Sequence, residues 1–130
     1  MTQLNGFLLL WFFQLFTAAS GFKPVRHFVM FSLKAEATTA QAQEIREGLL
    51  ALPSKIPEIK EYELGVDLLL KGGQNHPAGK NRAISWTATF ESQQDYETYD
   101  ASEPHKEFLA KLKPIVEPGS RAAIQYELPE

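Results

Sequence analysis

The sequence predicts an α+β fold of the ferredoxin-like split βαβ type, and three observations carry that prediction. Four stretches alternate apolar and polar residues with period two, as strands do. Others carry apolar residues at helical spacing behind recognisable helix starts. They follow in the order strand, helix, strand, strand, helix in two pieces, strand, which is the split arrangement. All 29 charged residues, 13 basic and 16 acidic, lie after residue 22 of the 130. The composition is that of a greasy leader joined to one domain of about 100 residues, enough for a single modest core.

Arg26 to Leu33 (RHFVMFSL) places His27, Val29, Phe31 and Leu33 on one strand face and Phe28, Met30 and Ser32 on the other. Both faces are largely apolar, so this strand expects cover on both sides. Thr38 and Gln41 have capping-box spacing, and Ala42, Ile45, Leu49 and Leu52 continue a helix that Pro53 is expected to end. Tyr62 to Leu70 sets Tyr62, Leu64, Val66, Leu68 and Leu70 against Glu63, Gly65, Asp67 and Leu69, a second strand.

Lys71 to Asn81 has three glycines and a proline and predicts a long mobile connection. Arg82 to Phe90 resumes alternation, with Ile84, Trp86, Ala88 and Phe90 on one face. Ser92 and Asp95 open a helix bearing Tyr96 and Tyr99. Pro104 suits the first turn of another, where its missing N–H would be unpaired anyway. That helix is expected to bury Phe108, Leu109 and Leu112, with Ile115 and Val116 following, before Pro118-Gly119 breaks it. Ile124, Tyr126 and Leu128 form the last strand.

In this arrangement the helices cover one sheet face, leaving Phe28, Met30 and the second faces of the other strands bare. Pairing two sheets face to face in a symmetric homodimer removes that exposure. A net charge of −3 without a Lys/Arg run argues against nucleic acid as a partner. Residues 7 to 16 (FLLLWFFQLF) are too short to span a bilayer. The small residues Thr17 to Gly21 behind them make residues 1 to 20 a candidate signal peptide, although no Lys or Arg precedes the apolar block. The alternatives are a misassigned start and an apolar arm for a partner. The protein is secreted if the leader is a signal, and otherwise cytoplasmic.

Phosphate-cradling, dinucleotide, zincin and nucleophile-elbow motifs are absent, as is cysteine, leaving three histidines, tyrosines and scattered carboxylates. His105 stands at a helix start, where the dipole and free N–H groups disfavour a cationic ring, and a neutral imidazole accepts a proton. Tyr99, six residues earlier across a helix break, is placed to hydrogen-bond a substrate oxygen. The plainer alternative is a polar helix-start residue and a rim aromatic. His27 reads as a core or pocket-lining residue and His76 as a solvated loop residue. No histidine pair has metal-ligand spacing, so no metal is expected. Glu91, Asp95 and Asp100 read as helix-start and surface charges.

Taken together, Val25-Arg26-His27-Phe28, Ile56-Pro57, Gly65-Val66-Asp67, Phe90-Glu91-Ser92 and the Tyr99 to Pro104-His105 spacing resemble the stress-responsive dimeric A/B barrel (Dabb) domain over residues 25–128. The resemblance implies the ferredoxin-like fold and a face-to-face dimer forming an α+β barrel. Similarity to the family's olivetolic acid cyclase-like plant members implies His105 as general base and Tyr99 as its oxygen-binding partner. It further implies a pocket lined by His27, with Val29, Phe31 and Trp86 as substrate-binding neighbours. The departures are a missing histidine beside Ile84, a longer connection at Lys71 to Asn81, and Trp86, which narrows the pocket. Two functions follow: a cofactor-free, aldol-type polyketide cyclase acting on a small apolar metabolite, or a non-enzymatic stress or ligand-binding dimer.

Overall fold

In the computed structural model the described residues are 23–77 and 79–129, so the expected leader at residues 1–20 lies outside them. The chain runs β1 (Val25–Phe31), α1 (Thr39–Lys55), β2 (Glu61–Val66), β3 (Ile84–Phe90), α2 (Gln93–Ala101), α3 (Glu103–Leu112) and β4 (Ala122–Glu127). One antiparallel sheet has the order β2-β3-β1-β4, the ferredoxin-like α+β arrangement that the element order predicts. Among the described residues no helix is long and apolar enough to cross a membrane.

The helix starts are where their capping residues place them. Thr38 and Gln41 close a reciprocal capping box, and Ser92 accepts from the Asp95 N–H at 3.1 Å. Pro53 does not end α1. It sits in the last turn, where its missing N–H forfeits only one bond, and the Ile56 N–H to the Leu52 carbonyl closes the helix at 2.9 Å.

The second strand is shorter than its alternation suggests. It stops at Val66 because Leu69 takes a left-handed backbone (φ 59°), which no strand accommodates, and Leu68, Leu69 and Leu70 all face outward. The following connection is tied down rather than free. Asp67 accepts from the Leu69 N–H, Gln74 and Asn81, and the Gln74 side chain accepts from the Asn81 N–H. Hydrogen bonding there holds the Asp67 carboxyl below its ordinary range, Gln74 contributing most. His76, expected in solvent, is half-buried.

The core is one layer between the helices and one sheet face. Ile45, Leu49 and Leu52 of α1, Tyr99 of α2, and Phe108 and Leu112 of α3 pack on Val29, Phe31, Ile84, Trp86, Ala88 and Phe90. Gly48 lets α3 close on α1: a Cβ there would lie 3.0 Å from the Phe108 ring. Leu109, expected to be buried, is 40 % exposed, because the buried stripe of α3 runs His105, Phe108, Leu112 and Leu109 lies off it.

The opposite sheet face is bare, but not uniformly apolar. Phe28 pairs with Ile124 along β1 and β4, and with Met30 and Tyr126 they make an apolar strip that Arg26, opposite Tyr126, interrupts at one end. On β3 and β2 the same face carries Ser85, Thr87, Thr89, Glu61 and Glu63. The apolar exposure inferred from sequence is therefore confined to half of the face.

Candidate active site

Ser102 is at once the C-cap of α2 and the N-cap of α3. Its hydroxyl donates to the Tyr99 carbonyl at 2.7 Å and accepts from the His105 N–H at 3.4 Å. One capping residue thus bends the chain between the two candidate side chains. Tyr99 and His105 consequently face each other, ring centroids 4.5 Å apart.

His27 enters from β1, with its ring 5.9 Å from Tyr99 and 5.3 Å from Tyr96. Phe90 backs Tyr99 at 5.0 Å. The sequence-predicted trio His27, Tyr99 and His105 is therefore brought together. All three are buried, Tyr99 at 2 % exposure, so it is no rim aromatic.

Hydrogen bonds set the two histidines in opposite forms. His105 Nδ1 lies 2.9 Å from the Asp100 carbonyl oxygen, which only accepts, so the neutral ring carries its proton on Nδ1 and keeps the Nε2 lone pair free. The Asp100 carboxylate stands 3.9 Å from the same nitrogen. His27 Nδ1 lies 2.9 Å from Gln125 Nε2, an amide donor, so this ring accepts at Nδ1 and presents an N–H at Nε2.

Electrostatics reinforce the assignment. Burial pushes the His27 pKa down to about 4, helped by Arg121 and, when that ring is protonated, by His105, and opposed by Asp100, so the His27 ring is neutral at pH 7. Burial pushes the Tyr99 phenol up to about 12, keeping it a hydrogen-bond donor. Tyr96 is also raised, mainly by burial. The arrangement offers a proton acceptor, a neutral donor and a buried phenol within one aromatic cluster.

Trp86 fills the floor beside them, 1 % exposed, its ring 5.8 Å from Tyr62. Val29 pairs with it across β1 and β3, whereas Phe31 sits in the core at the far end of β1 from His27. A cleft of about 300 Å³ lined by Val25, Gln93, Tyr96, Glu97, Gln125, Tyr126 and Glu127 opens beside Tyr96 and Gln125, the two residues against His27. A smaller one, about 150 Å³, holds His76, Lys80 and Arg82 near Ser120, away from the cluster. Among the described residues no three His, Asp or Glu side chains gather as a metal-binding set.

Sequence reasoning missed Tyr96, Asp100, Arg121 and Gln125 as members of this cluster. Arg121 and Gln125 share the parity of Ala123, opposite to Ile124 and Tyr126, and that parity puts them on the His27 face. It was the one available signal. Asp100, read as a surface charge, is exposed but acts on the site through its carbonyl and its charge.

Residues 25–128 match the family described as the Stress responsive A/B Barrel Domain. Among solved structures, the chain is 27 % identical to a dimeric ferredoxin-like protein of unknown function from Thermobifida fusca, covering 82 % of this chain and 92 % of that one, with a TM-score of 0.68. It is 26 % identical to the hydroxynitrile lyase from Passiflora edulis, covering 83 % and 95 %, TM-score 0.71. A Dabb family protein with a ferredoxin-like fold from Mesorhizobium loti, 20 % identical over 83 % and 98 % with a TM-score of 0.65, shares the fold. No curated protein matches the chain.

Proposed function

The chain belongs to the stress responsive A/B barrel domain family, and on that premise we propose that it is a small homodimeric, cofactor-free acid–base catalyst acting on an apolar carbonyl metabolite. The observation that carries this reading is the opposed protonation of His105 and His27 around the buried Tyr99 phenol.

The steps use only these side chains. His105 Nε2 takes a proton from the carbon beside a substrate carbonyl; the C–H electron pair becomes the carbon–carbon double bond as the carbonyl π pair moves to oxygen, giving an enolate. The Tyr99 hydroxyl hydrogen-bonds that oxygen in a water-poor setting where such a bond is strong. In an aldol-type cyclisation the enolate carbon then bonds to a second carbonyl carbon of the same chain. The new alkoxide takes back the proton held by His105. A relative named as a hydroxynitrile lyase supports lyase-type chemistry for this fold, and dimeric relatives support self-association.

A second reading, a non-enzymatic ligand-binding or stress-response dimer, is favoured by one observation: Tyr99, His105 and Trp86 line neither of these clefts. Cleavage of residues 1–20 as a signal peptide would make the protein an exported one, which N-terminal sequencing of native material decides.

The test is turnover of linear polyketones and cyanohydrins by the purified full chain and by His105→Ala and Tyr99→Phe. We expect each substitution to cost about 100-fold or more. Turnover unchanged in both removes the catalytic reading and leaves the binding one.

A further inference from the structure

The cleft of about 150 Å³ lies where β1 ends, β3 begins and the chain turns into β4, with Ser32, Lys80, Arg82, Glu117 and Ser120 among its walls. The proposed reaction uses none of them. Its floor is built of hydrogen bonds, because Ser32 and Ser120 are buried and spend their hydroxyls on the main chain. Ser120 Oγ donates to the Glu117 carbonyl at 2.7 Å and accepts from the Ser32 N–H at 3.1 Å, and Ser32 Oγ accepts from the Ala83 N–H at 3.1 Å. Arg82 Nε donates to the Ser120 carbonyl at 2.9 Å, which fixes the half-buried guanidinium against this floor. Its two Nη groups find no hydrogen-bond or ion-pair acceptor among the described residues.

A guanidinium held by one nitrogen, with the rest of its planar fork unpaired, is suited to an anion that offers two oxygens side by side. Lys80 lines the same cleft, its Nζ 3.5 Å from Glu117 Oε1. Both side chains of that pair are more than a third exposed, so it is a weak pair that a second anion can share. Arg82 and Lys80 bring two positive charges and Glu117 one negative, so apart from His76, which also lines the cleft, one negative charge is missing. We infer that this cleft is a binding site for a small organic carboxylate, its two oxygens on the Arg82 Nη groups and Lys80 beside them. A single charge completes the balance, whereas a phosphate dianion would set its second charge against Glu117. The site shares no residue with the His27, Tyr99 and His105 cluster and stands apart from the acid–base reading.

The probe is acetate, titrated into the ¹⁵N-labelled full chain in a buffer free of other carboxylates and of phosphate. We expect the Arg82 Nε–H signal and the Gly119 and Ser120 amides to move, and Arg82→Gln to bind acetate about tenfold or more weakly, the value of a charge-assisted pair. Lys80→Gln should bind about threefold more weakly and Glu117→Gln about threefold more tightly, as befits exposed charges. Lys80 and Glu117 pair only with each other through their side chains among the described residues, so these two variants still decide should Arg82→Gln not fold. Acetate that leaves the three signals unmoved, or binds the variants as it binds wild type, overturns the site. Weaker binding to Glu117→Gln overturns it as well. Dianionic phosphate binding more tightly than acetate overturns the carboxylate assignment. None of these outcomes bears on turnover at His105.

Discussion

Gln125 Nε2 stands 2.9 Å from His27 Nδ1, joining β4 to β1 across 98 residues of sequence, and this bond decides which nitrogen of His27 carries the proton. Gln125 is therefore a positioning residue. In Gln125→Leu, we expect imidazole ¹⁵N shifts to show His27 leaving the pure Nε2–H form and turnover to fall about tenfold with little change in KM. A wild-type His27 protonated at Nδ1 would contradict the assignment.

The depressed pKa of His27 ties stability to pH. Its folded value, about 4, lies below the ordinary 6.5, so the unfolded chain binds more protons between these values. Stability contributed by the neutral ring is full above pH 6.5 and is lost as pH falls toward 4, at most about 3 kcal/mol in total. Urea titrations across this window should show the decline in wild type and a flatter profile in His27→Gln.

Ser102 caps two helices at once. Ser102→Ala should lower stability by about 1–2 kcal/mol. It should also reduce turnover beyond what that destabilisation explains, because the Tyr99 and His105 rings lose their shared hinge. A Gly replacement that restores stability but not turnover would separate the two effects.

Leu69 holds its positive φ through a hydrogen bond from its N–H to Asp67, with its side chain 72 % exposed. A leucine there costs about 1–2 kcal/mol that glycine does not, partly offset by glycine's greater freedom when unfolded. Leu69→Gly should therefore raise stability by about 0.5–1 kcal/mol in chemical denaturation, and Leu69→Val should lower it.

Phe28 and Ile124 are paired neighbours on the bare face of the sheet, Ile124 60 % exposed. If this strip is the dimer seam, Ile124→Glu should yield monomers in sedimentation at micromolar concentrations where wild type is dimeric. A monomeric wild type would count directly against the pairing.

Much of this molecule is legible residue by residue. Thr38, Ser92 and Pro104 mark helix starts because capping is a local hydrogen-bond requirement. The alternation of His27, Val29 and Phe31 names the buried face of β1 because successive side chains in a strand point to opposite sides. The Leu64 to Leu70 alternation misleads, because a turn of the backbone at Leu69 costs little to sequence pattern but ends a strand.

The sequence by itself determined the order of elements, their caps, the ferredoxin-like α+β class and the approach of Tyr99 to His105, all of which depend on contacts within a few residues. Only the tertiary structure decided that Gln125 and Asp100 set the two histidine tautomers, that Arg121 bears on His27, and that the buried Trp86 N–H finds no partner among the described residues. Those facts depend on which distant side chains the folded sheet brings within about 3 Å of each other, a distance that periodicity does not encode.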